Sequence, residues 1–279
     1  IMKKDKTNPE VYKKAVTSIG TRTKDGVKWI GTGFFAIRTV DAEGNGRPFL
    51  VTNRHVLKDE KTIVLRLRKK DSEAFDTVDV NILDNEKELY YAHPNEKIDI
   101  AILPLNGSFF VKNHLDYSAF DIDDHAMDSV TLRKEGVDEG SLIHMLGFPM
   151  GLVNVNSTLP ICRLGCVARM SDAQIAETQN ILVDIQNFPG NSGSPIVTRP
   201  EFVSISGTKS LNKSVLLGIV HSYIPYQESL MNTQTKQVVE IRSENSGIAK
   251  VHPVELIREV VDLFAKQYSE ETEGNVCTV

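Results

Sequence analysis

From Ala15 onward the chain is a succession of short strand-like runs separated by polar or glycine-containing turns. The runs are Ala15–Arg22, Trp29–Val40, Phe49–Asn53, Thr62–Arg68, Thr77–Ile82, Glu88–Ala92 and Ile98–Leu103. Thr62–Arg68 alternates apolar and polar residues over most of its length, the pattern of a half-buried strand. Asp41-Ala42-Glu43-Gly44-Asn45-Gly46 has the residue types of a hairpin loop between two runs. A second strand-rich half starts near Ser129 and continues through Ser141–Gly147, Cys162–Met170, Ile181–Gln186, Ser194–Thr198, Val215–His221 and Gln237–Ile241. This spacing predicts an all-β protein. Asn8-Pro9 is a cap and first-turn pair for a short helix to about Lys14. After Pro253, the spacing of Leu256, Ile257, Val260, Val261 and Phe264 becomes helical.

The expected organisation is a first β half over about 15–110, a linker over about 106–128, a second β half over about 129–250 and a closing helix over about 253–268, all within one domain spanning 1–279. The linker is polar, and its acids Asp121, Asp123 and Asp124 lack the spacing and glycine of a calcium loop, so it reads as a solvated connection.

A net charge of −5 gives no basic surface for nucleic acid or acidic membrane. No apolar run approaches the roughly 18 residues that cross a bilayer. Three cysteines, Cys162, Cys166 and Cys277, have neither disulfide-framework nor metal-ligand spacing and read as free thiols in a reducing compartment. With Met2 as the natural start and no apolar segment behind Lys3-Lys4, a cytoplasmic protein is expected.

Chemistry concentrates in three short segments. In Phe188-Pro189-Gly190-Asn191-Ser192-Gly193-Ser194-Pro195, two glycines flank one serine in a tight turn between strands. Glycine permits backbone angles that aim successive N–H groups at one point. Such a turn exposes the Ser192 hydroxyl as a nucleophile, while the N–H groups of Gly190 and Ser192 form an oxyanion hole. His55, directly after the apolar Phe49-Leu50-Val51 strand, stands where a base can reach a cleft. Asp99 lies inside the apolar run Ile98–Leu103, where a carboxylate needs a partner for its charge. The chain order His, Asp, Ser differs from that of subtilisins and α/β-hydrolases.

Together these segments resemble the chymotrypsin-fold serine proteases, most of all the bacterial HtrA-type and related trypsin-like branch. The residues that carry the resemblance are Thr52-Asn53-Arg54-His55-Val56, Asp99-Ile100-Ala101-Ile102-Leu103 and Pro189-Gly190-Asn191-Ser192-Gly193. Gly31-Thr32-Gly33-Phe34, Gly147-Phe148-Pro149-Met150-Gly151, Asp184 and Gly218-Ile219-Val220 support them, so the likeness covers roughly residues 15–265. It implies two perpendicular six-stranded antiparallel β-barrels with the active site between them. It also implies an endopeptidase that cuts peptide bonds through an acyl-enzyme, with Ser192 as nucleophile, His55 as general base and then acid, and Asp99 orienting the imidazole. No metal or cofactor is implied, and the partner is a polypeptide substrate. Intracellular processing or regulatory proteolysis is the expected role; the alternative is a catalytically silent binding module on the same scaffold.

By the same resemblance Gln186, Asn187 and Phe188 form the base and one wall of the primary specificity pocket, and Val220, His221 and Tyr223 the other. None is the acid that would bind Lys or Arg. Glutamyl endopeptidases carry a pocket histidine on this strand, but His221 stands one position later; it is read on the Asp99 side of the cleft in preference to a glutamate reader. Asn191 replaces the aspartate of animal digestive members, which removes the partner for a newly cut N-terminal amine, and Ser194 replaces the second glycine of the HtrA motif. Too few residues follow the closing helix for the peptide-binding PDZ domain that HtrA enzymes append. Segments 199–214 and 224–246 exceed those of minimal HtrA domains and read as specificity or partner loops. His93, His114, His125, His144 and His252 show no partner pattern and default to structural roles.

Overall fold

The computed structural model describes residues 9–39, 46–72, 74–154, 156–201 and 209–274. The chain enters through helix α1 (Pro9–Lys14) and then forms strands β1 (Val16–Thr23), β2 (Gly26–Thr39) and β3 (Gly46–Thr52). A one-turn helix, α2 (Arg54–Leu57), leads to β4 (Thr62–Arg68), β5 (Phe75–Asn81), β6 (Leu83–Asp84), β7 (Lys87–Glu88), β8 (Tyr91–Ala92) and β9 (Ala101–Pro104). Helix α3 (Gly107–Lys112), strand β10 (Phe120–Asp121) and helix α4 (Ser129–Lys134) connect to the second half. That half contains β11 (Leu142–Gly147), β12 (Ile161–Arg169), helix α5 (Asp172–Thr178), β13 (Ile181–Asp184), β14 (Pro195–Thr198), β15 (Leu216–Met231), β16 (Val238–Pro253) and the closing helix α6 (Val254–Gly274).

The second half closes as a six-stranded barrel in the order β11-β12-β13-β16-β15-β14, with β14 returning to β11. The first half differs from the implied closed barrel. Its eight strands run in the order β5-β4-β1-β2-β3-β9-β8, with β10 added in parallel beside β2. Strand β8 is only two residues long, and the chain before it turns into its own hairpin, β6 with β7; among the described residues no ladder joins β8 to β5. An apolar recess of about 570 Å³ opens beside β4, β5, β9 and α3, lined by Leu65, Leu67, Val78, Leu103 and Phe110 among others.

Alternating strands build this arrangement because one face of each can be buried. Strand β4 departs from simple alternation, since Arg66 on the expected polar face is also buried. Its guanidinium lies 3.6 Å from the centroid of the Phe75 ring and donates to the Asn154 carbonyl, so packing and a hydrogen bond replace water.

One hydrophobic cluster fills the first half and another the second barrel, while a third joins the two. The joining cluster takes Phe34 and Phe49 from the first half, Leu146 and Ile219 from the second, Tyr12 from α1 and Ile257 from α6. The expected solvated linker belongs to these cores. Phe110, Leu115, Phe120, Ile122 and Ala126 are all buried, and Phe120 stacks on Tyr12 with ring centroids 4.9 Å apart. Polar turns at its surface hid an apolar underside. The Asp121 carboxylate accepts the N–H groups of Asp123 and Asp124, and Asp123 pairs with Arg38.

Two further expectations change. Ser129 opens a helix instead of a strand, because Asp128 caps it by accepting the Thr131 N–H. Segment 224–246 is a two-stranded ribbon, the outer part of β15 and β16, in which Pro225 to Met231 pairs with Val238 to Asn245. The Asp41–Gly46 loop before Gly46, residues 202–208 of the other expected loop, and Cys277 lie outside the described residues. Among the described residues no helix is long and apolar enough to cross a membrane.

Candidate active site

His55 is placed by the end of a buried strand. Phe49, Leu50 and Val51 are buried in β3, and Asn53 with extended angles starts α2. Val56 and Leu57 anchor that single turn in the core, leaving the His55 side chain 48% exposed. Its Nδ1 lies 2.5 Å from Asp99 Oδ2, and its backbone N–H donates to Asp99 Oδ1 at 3.1 Å. The flanking Ile98 and Ile100 are buried and hold Asp99 at the mouth of the core. Asn53 Nδ2 donates to the Asp99 carbonyl at 2.7 Å, and the Asp99 N–H donates to His252 Nε2 at 3.0 Å. Burial works to raise the Asp99 carboxyl, but the hydrogen bonds and charge of His55 outweigh it and hold the group below the ordinary aspartate value. An imidazole gripped in this way at Nδ1 presents Nε2 outward as a base.

The Ser192 turn rests on the same strands. Gly190 and Gly193 have φ of +95° and +89°, the left-handed region that favours glycine. A Cβ at Gly193 would stand 2.0 Å from the Thr32 carbonyl oxygen and 2.5 Å from Thr52 Oγ1; one at Gly190 would stand 2.4 Å from the Phe148 oxygen. Thr32 ties the pieces together. Its N–H donates to the Ser192 carbonyl at 2.8 Å, and its hydroxyl donates to the Gly190 carbonyl at 2.7 Å and accepts the Phe148 N–H at 3.1 Å. A Cβ at Gly31 would meet both Val56 and the Ser192 carbonyl oxygen, so little more than that glycine separates α2 from the turn.

Within the turn, the N–H groups of Asn191, Gly193 and Ser194 donate to Phe188, Val220 and Asn191 carbonyls. Those of Gly190 and Ser192 have no backbone partner among the described residues. Fixed N–H groups left unpaired in this way suit an anion. Among the described residues His55 bonds to Asp99, and no hydrogen bond joins its ring to the Ser192 hydroxyl.

The residues expected to form the pocket have the following surroundings. Asn187 is buried, and its carbonyl accepts Asn245 Nδ2 at 2.6 Å. Gln186 is exposed, and Phe188 is half-buried with the Arg163 guanidinium 5.4 Å from its ring centroid. Tyr223 is half-buried opposite Ala249. Val220 corrects the expectation: strand alternation turns its side chain wholly into the barrel core, so it offers the cleft no side-chain surface.

His221 lies on the Asp99 side. Its ring stacks on that of His252, centroids 4.0 Å apart and planes 8° from parallel, and its Nε2 is 2.7 Å from Asn180 Oδ1. Burial pushes its pKa down to about 3, and burial also lowers that of His252. His252, which touches Asp99 directly, had no local sequence signal; its partner is 153 residues away.

No sequence among curated proteins matches this chain. Similar solved structures include the MamO protease domain from Magnetospirillum magneticum in its apo form, 12% identical with a TM-score of 0.48, covering 89% of this chain and 96% of that one. The HtrA-type protease AlgW with a decapeptide is 16% identical with a TM-score of 0.47, covering 91% of this chain and 66% of that one. The trypsin-like peptidase domain matches residues 31–203, a stretch that holds His55, Asp99 and the Ser192 turn, and the chain belongs to that family.

Proposed function

We propose that the protein is a serine endopeptidase in which both β halves act as one peptidase domain. Ser192 attacks the scissile carbonyl, His55 Nε2 takes its proton and passes it to the leaving amine, and Asp99 holds the imidazole tautomer. The Gly190 and Ser192 N–H groups receive the oxyanion. What supports this reading is the Asp99–His55 pair together with a turn in which the Gly190 and Ser192 N–H groups have no backbone partner among the described residues. Acyl transfer of this kind needs no metal.

The pocket side chains Gln186, Asn187 and Phe188 supply no carboxylate, and Arg163 beside Phe188 adds a positive charge. A buried Lys or Arg side chain would lack a partner there, at a cost of several kcal/mol. Small or medium uncharged residues are therefore favoured on the acyl side of the cut bond. Cleavage profiling in a denatured protein mixture checks this, and a dominant Lys/Arg signature would refute it.

A second reading is a binding module that keeps the scaffold without turnover. The missing Ser192–His55 hydrogen bond favours it, although such bonds often tighten only when substrate arrives. Covalent labelling with a fluorophosphonate separates the two. An active enzyme is labelled at Ser192, and Ser192→Ala abolishes labelling and peptide cleavage while the fold persists; loss of such a nucleophile costs on the order of 10⁶ in turnover. An unlabelled wild type would support the silent module.

A further inference from the structure

We propose that His252 is a positioning residue for Asp99, acting as a neutral hydrogen-bond acceptor behind it; the inference rests on the serine endopeptidase reading. An imidazole accepts at one ring nitrogen only when its proton sits on the other. In His252 both nitrogens are committed. Nε2 receives the Asp99 N–H at 3.0 Å, and Nδ1 lies 2.9 Å from the Gln179 carbonyl, which has no proton to give. The carbonyl therefore fixes the proton on Nδ1 and leaves the Nε2 lone pair for Asp99. The ring is fully buried, so no water competes for either contact.

Gln179 is held in its turn. It ends α5 with left-handed backbone angles, φ 59° and ψ 26°, and its N–H donates to the Ile175 carbonyl at 2.8 Å. The next residue, Asn180, meets His221 Nε2, and His221 lies flat against His252. The end of α5 thus grips both stacked rings, and one of them grips the backbone of Asp99. With Asn53 on the Asp99 carbonyl, the main chain of this residue is held at both its N–H and its C=O. The carboxylate oxygens are then left to accept from His55, Oδ1 from its N–H and Oδ2 beside its Nδ1.

The arrangement works only while the rings are neutral. A proton on His252 Nε2 would turn the acceptor into a donor pointed at the Asp99 N–H. The charged and titratable groups facing the pair are Asp99 and His93 toward His252, and Asp99, Lys250 and His55 toward His221. Asp99 favours protonation, while His93, Lys250, His55 and the burial itself oppose it.

The test uses the full chain as wild type, His252→Gln and His252→Phe. Ring nitrogen NMR of the wild type reads the His252 tautomer whether or not the protein is active; a proton on Nδ1 is expected. A proton on Nε2 would overturn the proposal, and this measurement decides the matter should the Phe variant fail to fold. Fluorophosphonate inactivation is then resolved into inhibitor affinity and maximal rate. For His252→Phe the rate should fall about 10- to 100-fold at unchanged affinity, the size of loss that removing an outer-shell hydrogen-bond partner causes at metal sites. Gln, whose side-chain oxygen can accept the Asp99 N–H, should recover most of that rate. A folded Phe variant inactivated as fast as wild type would refute the positioning role. A wild type that reacts with no fluorophosphonate would instead count against the endopeptidase reading, leaving the tautomer to judge the acceptor geometry by itself.

Discussion

At the scale of single residues, the site depends on atoms that have no room to move. Gly193→Ala would place a methyl group 2.0 Å from the Thr32 carbonyl oxygen at a φ of +89°. Backbone strain and overpacking each cost about 1–3 kcal/mol. Denaturant unfolding should therefore show a loss of about 2–6 kcal/mol, together with loss of labelling; an unchanged midpoint would mean that the turn relaxes freely. Asp99→Asn tests a different property. It keeps the shape but can leave the proton on the wrong nitrogen of His55, and for a triad carboxylate this lowers turnover about 10⁴-fold. Labelling kinetics should show a large drop with little change in melting temperature. His55 follows, and Asp99 precedes, an apolar run that becomes a buried strand, while Ser192 stands out because two glycines flank it in a turn.

At the scale of elements, the ribbon formed by the outer halves of β15 and β16 stands apart from the barrel they help to close. Barrel closure uses residues 216–219 of β15 against β14 and 248–251 of β16 against β13. Between them, Tyr226, Leu230, Met231, Val238, Val239 and Ile241 are exposed, and no side chain from Pro225 to Asn245 is buried in a core. Replacing residues 229–241, which leaves the paired Glu228 and Arg242 flanking a two-residue Asn-Gly turn, should leave the fold intact, with a melting temperature within a few degrees of wild type. A collapse of the barrel on this deletion would show that the ribbon supports it. The ribbon could not be foreseen because its root, where Asn245 meets the Asn187 carbonyl, is set by tertiary contact. Its alternating residues gave a strand over Gln237–Ile241, but nothing in that alternation measures how far a hairpin projects.

For the whole molecule, the joining cluster makes the two β halves interdependent. Tyr12 contributes a ring to it and a hydroxyl that donates to the Ser214 carbonyl at 2.8 Å, a contact across 202 residues. One cooperative unfolding transition is expected by calorimetry, and two separate transitions would contradict the shared core. Acid should weaken the fold through the stacked histidines. In the unfolded chain His221 titrates at its ordinary value of 6.5, and in the fold at about 3. Its folded value is depressed, so its contribution is fully present above 6.5 and is lost as pH falls from there toward 3. Each such histidine adds a slope of up to about 1.4 kcal/mol per pH unit in that window. Replacing His221 by Phe should flatten the fall in melting temperature between pH 6 and 4, and an unaltered slope would rule out this source.

What the amino-acid sequence determined by itself was the all-β character, most strand positions, both terminal helices and three short segments with the residue types of a catalytic site. All of these are written in short-range patterns: alternation, caps, and glycines beside one serine. Only the tertiary structure decided that 106–128 sends Phe110, Leu115, Phe120, Ile122 and Ala126 into the cores, that the ladders among the described residues close the second half, and that Val220 faces inward. It alone brought His252 to Asp99 and laid His221 against it. These features depend on which surfaces meet across more than a hundred residues, and a strand's own periodicity says which face is apolar without saying what covers it.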